Sequence, residues 1–153
     1  MRRRLSSLFG DRRGASALET AVILPVVGGL VMVAMDFSNA WLTRLQLEQA
    51  AQRGIELVAA RKGVATSYNY ALTEMTTAWG KDYTSATVDA WLECGGERQA
   101  STTANCGTAQ RARYVQLSIT APFNPIFGWG SLYDGPGSNG GATLVGDAVV
   151  RVQ

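Results

Sequence analysis

Between Ala15 and Met35 the chain runs 21 residues with a single charged side chain, Glu19. A helix needs about 20 predominantly apolar residues to cross the hydrocarbon of a bilayer. Arg2, Arg3, Arg4, Arg12 and Arg13 precede the run with only Asp11 against them, and the first acid after it is Asp36. The positive-inside rule then puts the N-terminus in the cytoplasm and everything from Asp36 onward on the far side of the membrane. A basic cluster that ends where an apolar run begins reads as a membrane flank, not as a nucleic-acid footprint.

A cleaved secretory signal peptide is the simplest alternative. Residues 1–40 offer a basic start, an apolar stretch and a small-x-small site at Ser38-Asn39-Ala40. The helical pattern, however, continues past that point. Trp41 to Arg61 contains no proline, and Leu47, Ala51, Ile55 and Val58 share one helical face. The expectation is one helix from about Ser16 to Lys62, half apolar all round and half amphipathic, about 70 Å long at 1.5 Å per residue. Gly63 would end it, with Arg61 and Lys62 beside the negative pole of the helix dipole.

Glu19 has two readings. It lies about one turn inside the cytoplasmic edge, so it can snorkel to the headgroups. Alternatively, cleavage after Gly14 would make Ala15 a new N-terminus, and its α-amine could pair with Glu19 of the same chain or a neighbour. Pro25 removes one backbone hydrogen bond and should loosen the helix between Ala21 and Gly29, beside Gly28-Gly29. Either this is ordinary tolerance in a membrane helix, or it is a soft segment that lets a subunit leave the bilayer for a filament.

The stretch Arg12-Arg13-Gly14-Ala15-Ser16-Ala17-Leu18-Glu19-Thr20-Ala21, followed by Leu24-Pro25 and Asp36-Phe37-Ser38-Asn39-Ala40-Trp41, resembles the TadE-like pseudopilins of tight-adherence (Tad/Flp) pilus systems, within the type IV pilin superfamily. Leu45-Gln46-Leu47 and Ala50-Ala51 fit the amphipathic helix of that family, while Thr20 stands where the family usually has an aromatic residue. The resemblance implies a leader at residues 1–14 removed by a prepilin peptidase between Gly14 and Ala15. It further implies a membrane helix at 15–35 and a periplasmic pilin-like domain at 36–153. Glu19 would set assembly register. The implied partners are a major Flp-type pilin, other minor pilins and an inner-membrane assembly platform, with no nucleic acid and no small-molecule substrate.

Beyond Gly63, Tyr68, Leu72, Met75 and Trp79 mark a short helix ending at Gly80. Three segments, Ala86–Glu93, Tyr114–Ala121 and Thr143–Val152, alternate apolar and polar residues and read as strands with one buried face each. The expected fold is α+β and pilin-like: a long helix, a short one, and a small antiparallel sheet of three strands. Cys94 and Cys106 bracket a polar stretch and should form a structural disulfide outside the cytoplasm, stabilising by about 3 kcal/mol in the chain-entropy model. Gly135 to Gly140 matches GxGxxG in letters only, because it lies late in the chain, contains Pro136 and has no strand-turn-helix context. It belongs to a glycine-rich loop, 128–141, whose Trp129, Leu132 and Tyr133 either dock on the sheet or contact a partner.

The 153 residues contain no histidine and 2 cysteines. Ser-His and Cys-His nucleophile pairs are therefore impossible within the chain, and a tetrahedral zinc site lacks ligands. No enzyme, cofactor or metal site is expected. Two other classes compete with the pseudopilin reading: a bitopic membrane-anchored binding domain never cleaved at Gly14, and a secreted domain released at Ala40.

Overall fold

The computed structural model describes residues 12–61, 67–127 and 142–152. Its first element, α1, spans Arg12–Ala60 and includes Pro25. The helix starts four residues before the expected Ser16 and continues through Gly14, which carries a propensity cost but no steric bar. It ends at Ala60, short of Gly63. Arg61 does not lie in the last turn; its guanidinium covers the ring of Tyr70, 4.0 Å from the centroid. Gly63, Lys62 and the loop residues Trp129, Leu132 and Tyr133 lie outside the described residues.

The chain divides into two units, one ending at Ser38 and one beginning at Asn39. In the first, only α1 is described. In the second, α1 presents Leu47, Ala50, Ala51, Ile55 and Val58, all buried. These positions follow the helical repeat seen in the sequence, and they form the core together with α2 and the sheet.

Helix α2 spans Asn69–Trp79. The Ser67 hydroxyl accepts the Asn69 N–H. Gly80, in the left-handed conformation at φ 63°, closes the far end by donating to the Thr76 carbonyl. Ala71, Met75 and Trp79 are its buried face. Leu72, expected in that face, is only half-buried at its margin, because Ala71 occupies the point of closest approach to α1.

The sheet has four strands, not three: β1 Ser85–Cys94, β2 Glu97–Arg98, β3 Arg111–Phe123 and β4 Ala142–Arg151, in the order β2-β1-β3-β4 and antiparallel throughout. The extra strand arises within the stretch expected to be a polar loop. Gly95 and Gly96, at φ 62° and 91°, make the two-residue turn that right-handed strand twist favours. Cys94 then faces Glu97. Two charged residues offer no alternation to read, which is why pattern alone passes over β2. The Cys94–Cys106 disulfide closes the segment after it, with a Cα–Cα distance of 5.3 Å.

Strand β3 is the centre of the core. Val115, Leu117, Ile119 and Ala121 are buried, while Tyr114, Gln116, Ser118 and Thr120 take the other face. Two glycines let the helix come down onto this layer. A Cβ on Gly54 would lie 2.8 Å from the Ala71 carbonyl oxygen and 2.5 Å from Leu117 Cδ1, and one on Gly146 would lie 2.5 Å from the Glu48 nitrogen. Backbone thus rests on backbone where α1 crosses β4.

Candidate functional site

No described region of the molecule resembles the N-terminal half of α1. Leu18, Val22, Ile23, Leu24, Val26 and Leu30 are each more than half exposed, and they point in every direction around the axis. One helix among the described residues is long and apolar enough to cross a membrane. An all-round apolar helix is stable only when lipid or other helices cover it. Ala15 and Glu19 stand four residues apart in this helix, about one turn, and Glu19 is exposed. A Cβ at Gly28 or Gly29 would meet no atom within 4 Å, so this stretch of helix offers a bare surface for close approach. At its end Asp36 is buried and Phe37 is exposed.

In the second unit α1 becomes amphipathic, but Trp41, Leu42 and Leu45 stay exposed. Arg44 and Glu48 pair across one turn at 3.1 Å. Between α1 and α2 lies an open groove of about 500 Å³ lined by Arg53, Glu56, Leu57, Ala60 and Glu74. A smaller, more enclosed depression of about 150 Å³ lies against Gln46, Gln49, Ala50, Arg53, Ala78 and Trp79. Lys81 flanks it, donating to the Gln46 side chain and lying 5.0 Å from the Trp79 ring centroid.

On the sheet face away from α1, Trp91 stacks on Tyr114 with centroids 5.4 Å apart, and Arg98 lies over Trp91 at 4.7 Å. Arg98 also pairs with Asp89 at 2.7 Å, and the Trp91 indole donates to Glu93 at 2.8 Å. The ladder joins β2 to β1 and β3, so the hairpin is held by side chains as well as by the disulfide. Both aromatic residues take the outward phase of their strands, and the β1–β3 register brings them opposite one another.

The family model for TadE-like protein matches residues 14–55. Residues 14–55 are TadE-like. No curated protein and no solved structure matches the chain. The TadE-like segment contains Gly14, Ala15, Glu19 and Pro25, and it reaches through the core-facing turns of α1 to Ile55. Helix α2, the sheet and the disulfide Cys94–Cys106 lie beyond the matched segment.

Proposed function

We propose that the chain is a non-catalytic pseudopilin or minor pilin that acts in assembly of a Tad-type pilus through helix–helix packing with other pilin subunits. The observation that carries this reading is the exposed apolar half of α1 within the TadE-like segment. In the bilayer, lipid covers that surface; in a pilus, neighbouring helices do. The leader at residues 1–14 stays cytoplasmic until a prepilin peptidase cleaves after Gly14, and the domain from Asp36 onward is periplasmic. Pro25 eases extraction from the bilayer. Glu19 then pairs with the new α-amine of Ala15, its own or a neighbour's, and fixes axial register.

The test is a double-mutant cycle in piliated cells. Glu19→Ala leaves the amine without its carboxylate and should abolish recruitment into the assembly while membrane insertion persists, because a costly charge has left the span. Gly14→Val blocks cleavage and should give the same defect. The double variant should be little worse than either single one, since both act on one interaction. Normal piliation with Glu19→Ala at normal protein levels would leave Glu19 as a snorkelling side chain and remove the pairing. A mature protein of full-length mass that never crosslinks to pilin subunits would instead favour an uncleaved, membrane-anchored binding domain.

A further inference from the structure

The outer side of α1 carries an apolar patch that the core does not use. Trp41, Leu42 and Leu45 are exposed by 54%, 57% and 38%. At about 100° per residue they point roughly 100–160° away from the middle of the face formed by Leu47, Ala50, Ala51, Ile55 and Val58. The patch therefore looks away from the sheet, on the other side of the helix from β3 and β4. The indoles of Trp79 and Trp91 donate to the Asp82 carbonyl and to Glu93, whereas the Trp41 indole has no acceptor among the described residues.

The patch also lacks net charge. From Asn39 to Gln52 the only charged side chains are Arg44 and Glu48, and these pair with each other at 3.1 Å. Its distance from the apolar run is bounded by the chain itself. Trp41 follows Met35, the last residue of the run, by six residues, and six residues reach at most about 20 Å however the backbone runs. Headgroups fill the first 5–8 Å or so beyond the hydrocarbon, roughly speaking. Tryptophan is enriched at that level, with its ring toward the acyl chains and its N–H toward polar groups. Helices that pack closely in a membrane use small residues at the contact. Three large side chains together are the opposite.

We infer that, while the chain is in the bilayer, Trp41, Leu42 and Leu45 seat in the phospholipid interface on the side away from the N-terminus, as a second foothold beyond the span. Their apolar groups enter the upper acyl region, and the Trp41 N–H donates to a lipid ester or phosphate oxygen. Buried apolar area supplies the attraction, and neutral headgroups suffice because the patch has no net charge to answer anionic ones. The inference rests on the reading that the apolar run crosses the membrane.

The experiment attaches an NBD fluorophore to single introduced cysteines in the full chain; the two native cysteines are joined in the disulfide and do not react. The sites are Leu42→Cys, Leu45→Cys, Val27→Cys within the run, and Ala59→Cys. Ala59 is exposed and stands about five turns beyond Trp41 on the same side of α1. Each variant is reconstituted in phosphatidylcholine vesicles at no more than one chain per vesicle. Lipid carrying a nitroxide at the top of its acyl chain should quench the probes at 42 and 45 at least threefold more than the probe at 59. Adding Trp41→Ser should lower the quenching at 42 and 45 at least twofold with the urea midpoint unchanged; the comparison with 59 stands whether or not that variant folds. A mid-chain nitroxide reads insertion separately through the probe at 27. Quenching at 27 with no excess at 42 and 45 overturns the inference and leaves the membrane reading intact, whereas no quenching at any site overturns both. A blue-shifted probe at 42 that nitroxide lipid does not reach assigns the patch to a covering segment of this chain. A blue shift that appears only with many chains per vesicle assigns it to a second copy. Either result overturns the inference. The Glu19 and Gly14 experiments are read in pili and do not depend on this outcome.

Discussion

Gly28 and Gly54 belong to the same helix, and only one of them has neighbours. A methyl group added at Gly28 would enter open space; one added at Gly54 would press on the carbonyl of Ala71 and the side chain of Leu117. The N-terminal half of α1 is thus apolar surface without a described cover, and the C-terminal half is a core element fitted against α2 and the sheet. One helix carries two sequence grammars: apolar on all sides up to Met35, then apolar on one face from Leu47 to Val58. Stability of the folded domain resides in the second half, and the first half contributes no buried apolar residue among the described ones.

The sharpest way to break that contrast is at Gly146. Its added Cβ would meet backbone atoms of Leu47 and Glu48, which cannot rotate away. Gly146→Ala should destabilise by about 3 kcal/mol or more, at the upper end of overpacking costs, read as an early urea midpoint for the full chain in micelles. An unchanged midpoint would mean that helix and sheet are not in contact there. Next comes the disulfide: Cys94→Ser together with Cys106→Ser should cost about 3 kcal/mol, seen in the same denaturation and reproduced in the native chain by reductant. Gly54→Ala should cost less, about 1–2 kcal/mol, because Leu117 can turn aside while the Ala71 carbonyl cannot, and the better helix propensity of alanine offsets about 1 kcal/mol.

Much of this was legible from periodicity alone. Leu47, Ala51, Ile55 and Val58, and then Val115, Leu117, Ile119 and Ala121, are buried as their spacing required. A repeat of 3.6 or of 2 is a local property that survives without knowledge of neighbours. What stayed hidden depends on contacts between distant segments. A glycine within a helix reads as a tolerated weak point, and nothing local distinguishes Gly54 from Gly29. Register is likewise non-local, so the Trp91–Tyr114 stack and its arginine could not be foreseen. Strand β2 exists only because β1 is beside it. Of the candidate site, the apolar run and the Gly14–Glu19 spacing were plain in the sequence, since membrane length and charge placement are read along one dimension. The α1–α2 groove with Arg53, Glu56 and Glu74 was not, because it requires two helices to be laid side by side.

The smallest expected effect is the most informative about the first half of α1. Gly28→Ala and Gly29→Ala add methyl groups that meet nothing within 4 Å. In the full chain in micelles the urea midpoint of the outer domain should therefore stay within about 0.5 kcal/mol of the native value, opposite in outcome to the same substitution at Gly54. If the pilus reading holds, the bare surface at these two glycines permits close approach of a neighbouring helix, as small residues do between membrane helices. Crosslinking to pilin subunits should then fall for Gly29→Ala and fall further for Gly29→Val, with folding and membrane insertion unchanged. Crosslinking that stays native in both variants would place the subunit contacts elsewhere on α1, at the exposed stretch around Trp41, Leu42 and Leu45. A loss of outer-domain stability in either glycine variant would show instead that the N-terminal half of α1 is packed into the fold, and the division of the helix into a packed half and a partner-facing half would be wrong.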